Sequence, residues 1–247
     1  RVAIFPVDRF LRMDRLPREA EPLVRLYSQL NGLYEIEWKQ HHFLYYNIQC
    51  LDIIQEPRLA TDKAAFEGAI AFMPLRRWEL TNTRYLLAPA ALLELFNRQI
   101  DPVQQRFKIA TQFDIAPKPG VSNPSRYEHL TATLNTNGQC AVLEFTGALP
   151  RAKLYANWQV STNDPAKLHD WVKDLQPRLP AEWGAALAAQ STTDLATLKQ
   201  LAEPSFDPAQ TVLLAEAIAA TPGTNQNAGE VKFESYEPKH IVLRAKA

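Results

Sequence analysis

Apolar and polar positions along the chain sort into short strands and amphipathic helices around one stretch, Trp78–Pro89. There a polar approach ends in the unbroken apolar run Tyr85-Leu86-Leu87-Ala88, stopped by Pro89. A run of that length with no polar side predicts a strand covered on both faces, with a buried helical turn as the alternative. Pro89 reads as the first residue of a helix whose apolar side carries Leu92, Leu93, Leu95 and Phe96.

Upstream, Val2–Phe5 predicts a strand closed by Pro6. Glu21–Asn31 places Leu23, Leu26, Tyr27 and Leu30 at helical spacing, with Asn31-Gly32 as its stop. Leu33–Arg58 is dense in aromatics. Thr61 or Asp62 is placed to cap a helix carrying Ala65, Phe66, Ala69 and Ile70.

Downstream of Asp101-Pro102 the period changes to two. Phe107, Ile109, Thr111, Phe113 and Ile115 occupy alternate positions, which predicts one half-buried strand face. Leu130–Leu134, Asn135-Thr136-Asn137-Gly138 and Cys140–Phe145 read as a hairpin, and Arg151–Val160 as a further strand with one wet face. Whether that strand joins the first sheet or a separate one stays open. Asp164-Pro165 opens a helix with Leu168, Trp171, Val172 and Leu175 on one stripe. Thr193–Ala202 is a second helix and Thr211–Leu214 a strand. Val231–Tyr236 with Ile241–Lys246 forms a terminal hairpin. Together these predict an α+β fold in two lobes: residues 1–100, a mixed sheet with packed helices, and 101–247, rich in antiparallel strands, the two grading toward one continuous domain.

Bulk composition narrows the function classes. A chain of 247 residues can bury a substantial core. Lys+Arg and Asp+Glu balance at 27 each, so no net field favours nucleic acid or an anionic membrane surface. Eighteen prolines against eight glycines predict fixed turns rather than flexible linkers. No segment approaches the roughly 18 consecutive apolar residues that cross a bilayer. Arg1 opens directly into Val2-Ala3-Ile4-Phe5 with no leader, which reads as a piece trimmed from something longer. The two cysteines, Cys50 and Cys140, have apolar flanks and read as buried thiols; a bridge is the alternative in an oxidising compartment.

Motifs for chemistry are scarce. There is no G-x-G-x-x-G, Walker loop, G-x-S-x-G elbow, H-E-x-x-H or Cys-x-x-Cys, so no cofactor or metal is assigned. His41-His42 is the nearest approach to a metal site, but neighbours on a strand point to opposite faces. Asp52 and Glu56, near His42, could be drawn as an acid/base pair, although beside Arg58 they suit hydrogen bonding to the guanidinium. Arg84, if enclosed, needs a carboxylate, with Glu79 or Asp52 as candidates. The candidate contact residues for a ligand or partner are Trp38, His41, His42, Tyr45, Tyr46 and Arg58. The aromatics among them suit either stacking on a sugar face or the lid of a core, and the lid is the favoured reading.

Several segments resemble, in order, the extracytoplasmic portion of YfhO-type bacterial membrane proteins, multispanning proteins related to the GT-C glycosyltransferases. They are Arg84-Tyr85-Leu86-Leu87, Ala148-Leu149-Pro150-Arg151-Ala152, Phe206-Asp207-Pro208 with Thr211-Val212-Leu213-Leu214, and Ser235-Tyr236-Glu237-Pro238 with Ile241-Val242-Leu243. Asn47–Arg58 departs from the Gly-Tyr-rich element usual there, and Pro165–Gln176 looks like an insertion. The resemblance implies an extracytoplasmic domain of the cell envelope, attached to the membrane through transmembrane helices of the same parent chain. It implies no catalytic residue in this segment, since none matches the acidic loop those enzymes use. A role in placing an acceptor or partner over a membrane-embedded site is implied as well, with a glycan or lipid-linked sugar as a further partner. Two other classes remain: a carbohydrate-binding module using Trp38, Tyr45, Tyr46 or Trp158, and a soluble α/β enzyme with an unrecognised site.

Overall fold

A computed structural model describes residues 1–4, 21–34, 43, 46–51, 60–175, 180–219, 228–237 and 239–247. The fold is α+β, and the chain separates into two compact units that interleave: Arg1–Pro57 with Thr81–Ala148, and Arg58–Leu80 with Leu149–Ala247. The boundary anticipated at residue 100 falls inside the first unit, because a strand before it pairs with a strand after it.

The first unit is built on a five-stranded sheet of order β1-β2-β5-β3-β4. Its strands are β1 (Val2–Ile4), β2 (Tyr85–Pro89), β3 (Phe107–Pro117), β4 (Leu130–Leu134) and β5 (Cys140–Phe145). β1 runs parallel to β2, and every other pairing is antiparallel. As its apolar run predicts, β2 is enclosed on both faces, with Leu86, Leu87 and Ala88 buried. Pro89 is the last strand residue rather than the first of a helix. Beyond it the chain makes a 3-10 turn (Ala90–Leu92), a single α-turn (Leu93–Leu95) and a π-turn (Phe96–Ile100). Leu92 and Phe96 are buried as expected, while Leu93 and Leu95 are half-buried.

β3 corrects the simplest reading of its alternating pattern. Its register with β5 shifts between Ile109 and Thr111, a bulge that adds Ala110 to one strand. Residues facing each other across a ladder share a sheet face, so the bulge splits the alternating set in two. Phe107 pairs with Phe145 and Ile109 with Leu143 on one face; Thr111 pairs with Val142 and Phe113 with Cys140 on the other. Packing agrees. Phe107 stacks on Phe145 at 4.8 Å between centroids and meets Phe96 edge-on at 5.0 Å. Phe113 packs instead with Leu30, Leu87 and Cys140.

The Asn-Gly hairpin is the second correction. β4 and β5 do not pair, since β3 lies between them and bonds to both. The turn crosses over β3: Asn135 Nδ2 donates to Asp114 Oδ2 (2.5 Å), the Gln139 N–H to Asp114 Oδ1 (2.8 Å), and Gln112 Nε2 to the Gly138 carbonyl (3.0 Å). Gly138 lies so close to β3 that a Cβ would fall 2.5 Å from the Phe113 carbonyl carbon, so glycine serves here as the crossing point.

Helix α1 (Glu21–Tyr34) lays Leu30, fully buried, and Leu26 on the Phe113 face of the sheet. It runs through Gly32 rather than stopping there. The ring of Tyr127 occupies the space a Cβ at Gly32 would take, so this glycine permits close packing within a continuing helix.

The second unit gathers α2 (Thr61–Ala69), α3 (Pro74–Leu80), α4 (Pro165–Leu175), α5 (Pro180–Ala189) and α6 (Ala196–Ala202). The predicted stripe of α4 is buried in full, with Ala65, Ile70, Leu187, Leu195 and Leu198 around it. Asp164 Oδ1 caps α4 by accepting the Ala166 and Lys167 N–H groups at 2.9 and 3.3 Å. Thr61 lies inside α2, and Ala60, without a capping side chain, takes its N-cap. The N–H groups of Thr197 and Leu198 at the start of α6 go to Asn163 Oδ1 at 3.1 and 3.2 Å. The strand expected over Arg151–Val160 is β6 (Asn157–Val160), which pairs in parallel with β7 (Thr211–Leu214) as a separate two-stranded sheet. β8 (Glu230–Glu237) and β9 (His240–Lys246) form the predicted terminal hairpin. Among the described residues no helix is long and apolar enough to cross a membrane.

Candidate functional site: an apolar groove on the first sheet

The candidate site arises from the side chains that the first sheet sends to the α1 face. Val2 and Tyr85 face each other across β1 and β2; Leu87 and Val142 do so across β2 and β5; Phe113 and Leu134 do so across β3 and β4. These six line a groove of about 580 Å³. Phe43 and Ile48 add a further wall. The Phe43 carbonyl accepts the N–H groups of Tyr46 (3.1 Å) and Ile48 (2.8 Å), and Asn47 takes φ +55° at the turn, a conformation asparagine tolerates well. The Val2 N–H then donates to the Gln49 carbonyl and the Leu51 N–H to the Val2 carbonyl, both at 2.8 Å, which fixes Ile48 beside the sheet.

The groove lies within the roughly 300–1,000 Å³ usual for small-molecule sites and carries an apolar lining. Leu134, on the outermost strand of the sheet, is 81% exposed. The polar groups among its described lining residues are the hydroxyls of Tyr85 and Thr111, and no carboxylate, imidazole, thiol, ammonium or guanidinium is among those described residues.

An ionic cluster adjoins Tyr85, one of the groove's lining residues. Glu144 stands opposite both Tyr85 and Lys108, one step beyond Val142 on the same face. Its Oε1 accepts Arg84 Nε at 2.9 Å and Nη2 at 2.6 Å, while Oε2 meets Lys108 Nζ at 3.1 Å. The Arg84 hydrogen bond, reinforced by Lys108, holds the Glu144 carboxyl below the ordinary carboxylate range. The same hydrogen bond raises Arg84. Arg84 thus finds Glu144, not Glu79, which meets Arg76 Nη1 at 3.5 Å in the second unit. Asp52 lies outside the described residues.

Of the residues singled out from sequence, Tyr46 is described and is 77% exposed on the turn after Phe43. Trp38, His41, His42, Tyr45 and Arg58, with Asp52 and Glu56, lie outside the described residues. Trp158 is half-buried in β6. Sequence reasoning misses the groove residues, although a signal exists: Tyr85, Leu87 and Phe113 belong to the same apolar runs that predict the strands. What periodicity does not supply is the strand order that brings them together.

Both cysteines are thiols. Cys50 is half-buried and Cys140 fully enclosed; burial, with the nearby Asp114 charge, pushes the Cys140 thiol up to about 12 from 9.0. At neutral pH this lowers the thiolate population about a thousandfold. Iodoacetamide is therefore expected to label Cys140 about a thousandfold more slowly in the folded chain than after denaturation, followed by mass spectrometry; comparable rates would contradict the enclosed position.

The second unit carries a smaller, polar cleft of about 370 Å³, walled by Gln159, Lys199, Gln200, Glu203, Asp207 and Thr211. Its groups are largely engaged in structure. Lys199 Nζ donates to the Gln190 carbonyl, Gln200 Nε2 to Gln159 Oε1, and Asp207 Oδ1 accepts the Ala209 N–H at 2.8 Å. Buried Arg76 holds the adjoining loop through Nη2 to the carbonyls of Glu203 (3.2 Å) and Phe206 (2.7 Å). Among the described residues no group of three or more His, Cys, Asp or Glu comes together to hold a metal ion. Comparison of the chain with protein-family models, curated proteins and solved structures found no match to any of the three.

Proposed function

We propose that this chain is a non-catalytic extracytoplasmic domain of a YfhO-type, GT-C-related membrane glycosyltransferase, and that it positions an acceptor or partner over a site among the transmembrane helices of the parent protein. The observation that carries the reading is the groove on the first sheet. It has the size and apolar lining of a binding site, and its described lining residues are apolar side chains with the hydroxyls of Tyr85 and Thr111. Such a surface gains free energy by taking apolar area out of water. The ordered resemblance of four segments between Arg84 and Leu243 supplies the family context.

The test is direct. The purified chain, offered nucleotide-linked and lipid-linked sugar donors with and without acceptor, is expected to show neither transfer nor hydrolysis above the buffer rate. Saturable turnover that persists through repurification would overturn the reading.

A further inference from the structure

We propose that the groove of the first unit binds a single-chain anionic amphiphile, with its hydrocarbon chain over Leu87, Phe113 and Val142 and its anionic head at Arg84 and Lys108. The inference rests on reading the groove as a binding surface and names what occupies it.

Charge placement selects the occupant. The described lining residues are uncharged, and the cluster beside Tyr85 carries two cations against one carboxylate. Arg84 and Lys108 have side chains 59% and 61% exposed, whereas Glu144 between them is 13% exposed. Glu144 takes two guanidinium N–H groups and one ammonium N–H. A guanidinium has five donors and an ammonium three, so donors on both remain turned to water. A carboxylate or phosphate head placed there replaces water on those donors and meets a net positive charge. The attached chain then runs over Val142, faced by Leu87 and Thr111, toward Leu134 beside Phe113. A sugar would leave its hydroxyls unpaired against this lining, at a cost of roughly 1–3 kcal/mol for each buried group. An uncharged hydrocarbon would leave the cationic cluster unused.

Oleate, below its micelle concentration, is the probe, with oleyl alcohol as its neutral counterpart, and isothermal titration calorimetry on the purified chain is the readout. Oleate is expected to bind saturably at one per chain and at least about tenfold more tightly than the alcohol. Lys108→Glu, at an exposed position, reverses the sign of the cluster and is expected to weaken oleate at least about tenfold while leaving the alcohol unchanged. Thr111→Lys, which places an ammonium in the path of the chain, is expected to weaken both, with circular dichroism reporting an intact fold. The absence of saturable oleate binding, or equal binding of oleate and alcohol that Lys108→Glu does not alter, would overturn the proposal. Sugar turnover by the chain would instead overturn the non-catalytic reading and leave this site standing.

Discussion

Replacing Asp101 by alanine is expected to cost about 3–5 kcal/mol of folding stability, because it removes the enclosed carboxylate that accepts the Arg106 N–H and Nε groups. Asp101 is 3% exposed and closes the turn between the helical stretch after β2 and the start of β3. Its Oδ2 accepts the Arg106 backbone N–H at 2.9 Å and Nε at 2.8 Å. The guanidinium lies over the Phe145 ring at 5.0 Å, and the Arg106 carbonyl accepts the Thr146 N–H at 3.0 Å. One carboxylate thus ties β3 to the end of β5. Burial pushes the Asp101 carboxyl up, but the hydrogen bonds and charge of Arg106 outweigh it and hold the group below its ordinary value. A lowered folded pKa gives stability that is complete above the unfolded value, about 3.9, and that fades as pH falls through the folded one. Urea denaturation should therefore show a loss at neutral pH in Asp101→Ala, and the gap between variant and parent should narrow as the buffer is made more acidic. A neutral-pH loss below about 1 kcal/mol would mean the pair is not holding the turn.

Phe145→Ala is expected to cost a similar amount, about 3–5 kcal/mol. Phe145 is fully buried, stacks on Phe107 and supports the Arg106 guanidinium. Truncation leaves a cavity between the sheet and the helical stretch that carries Phe96, which itself meets Phe107 edge-on. Phe145→Leu restores much of the volume without the ring stack and should recover most of the loss. Equal destabilisation by both variants would show that the ring geometry, rather than filled volume, dominates this site.

Much of the fold was legible in the sequence where one physical signal dominated. The apolar run of β2, the α4 stripe capped by Asp164 and the β8–β9 hairpin needed only local pattern and turn chemistry, and each stands where expected. Readings departed where a long-range contact overrode a local rule. Gly32 signals a helix end by propensity, yet Tyr127, 95 residues further along the chain, explains its small size inside a continuing helix. Asn137-Gly138 signals a hairpin, yet the close approach to Phe113 makes it a crossover. Ala110 looks like any strand residue, yet as a bulge it sends Phe107 and Phe113 to opposite faces. The groove was hidden for the same reason, since its walls come from β1, β2, β3, β4 and β5 in an order that periodicity does not encode.

The most direct test of the central claim, that the α1 face of the first sheet is a binding surface, is an oleate titration monitored by heteronuclear NMR on the labelled chain. Saturable shifts gathered at Val2, Tyr85, Leu87, Phe113 and Val142, with the side-chain signals of Arg84 and Lys108 moving in step, are the predicted result. Shifts confined to the polar cleft around Gln159 and Asp207, or no saturable shifts at all, would contradict it.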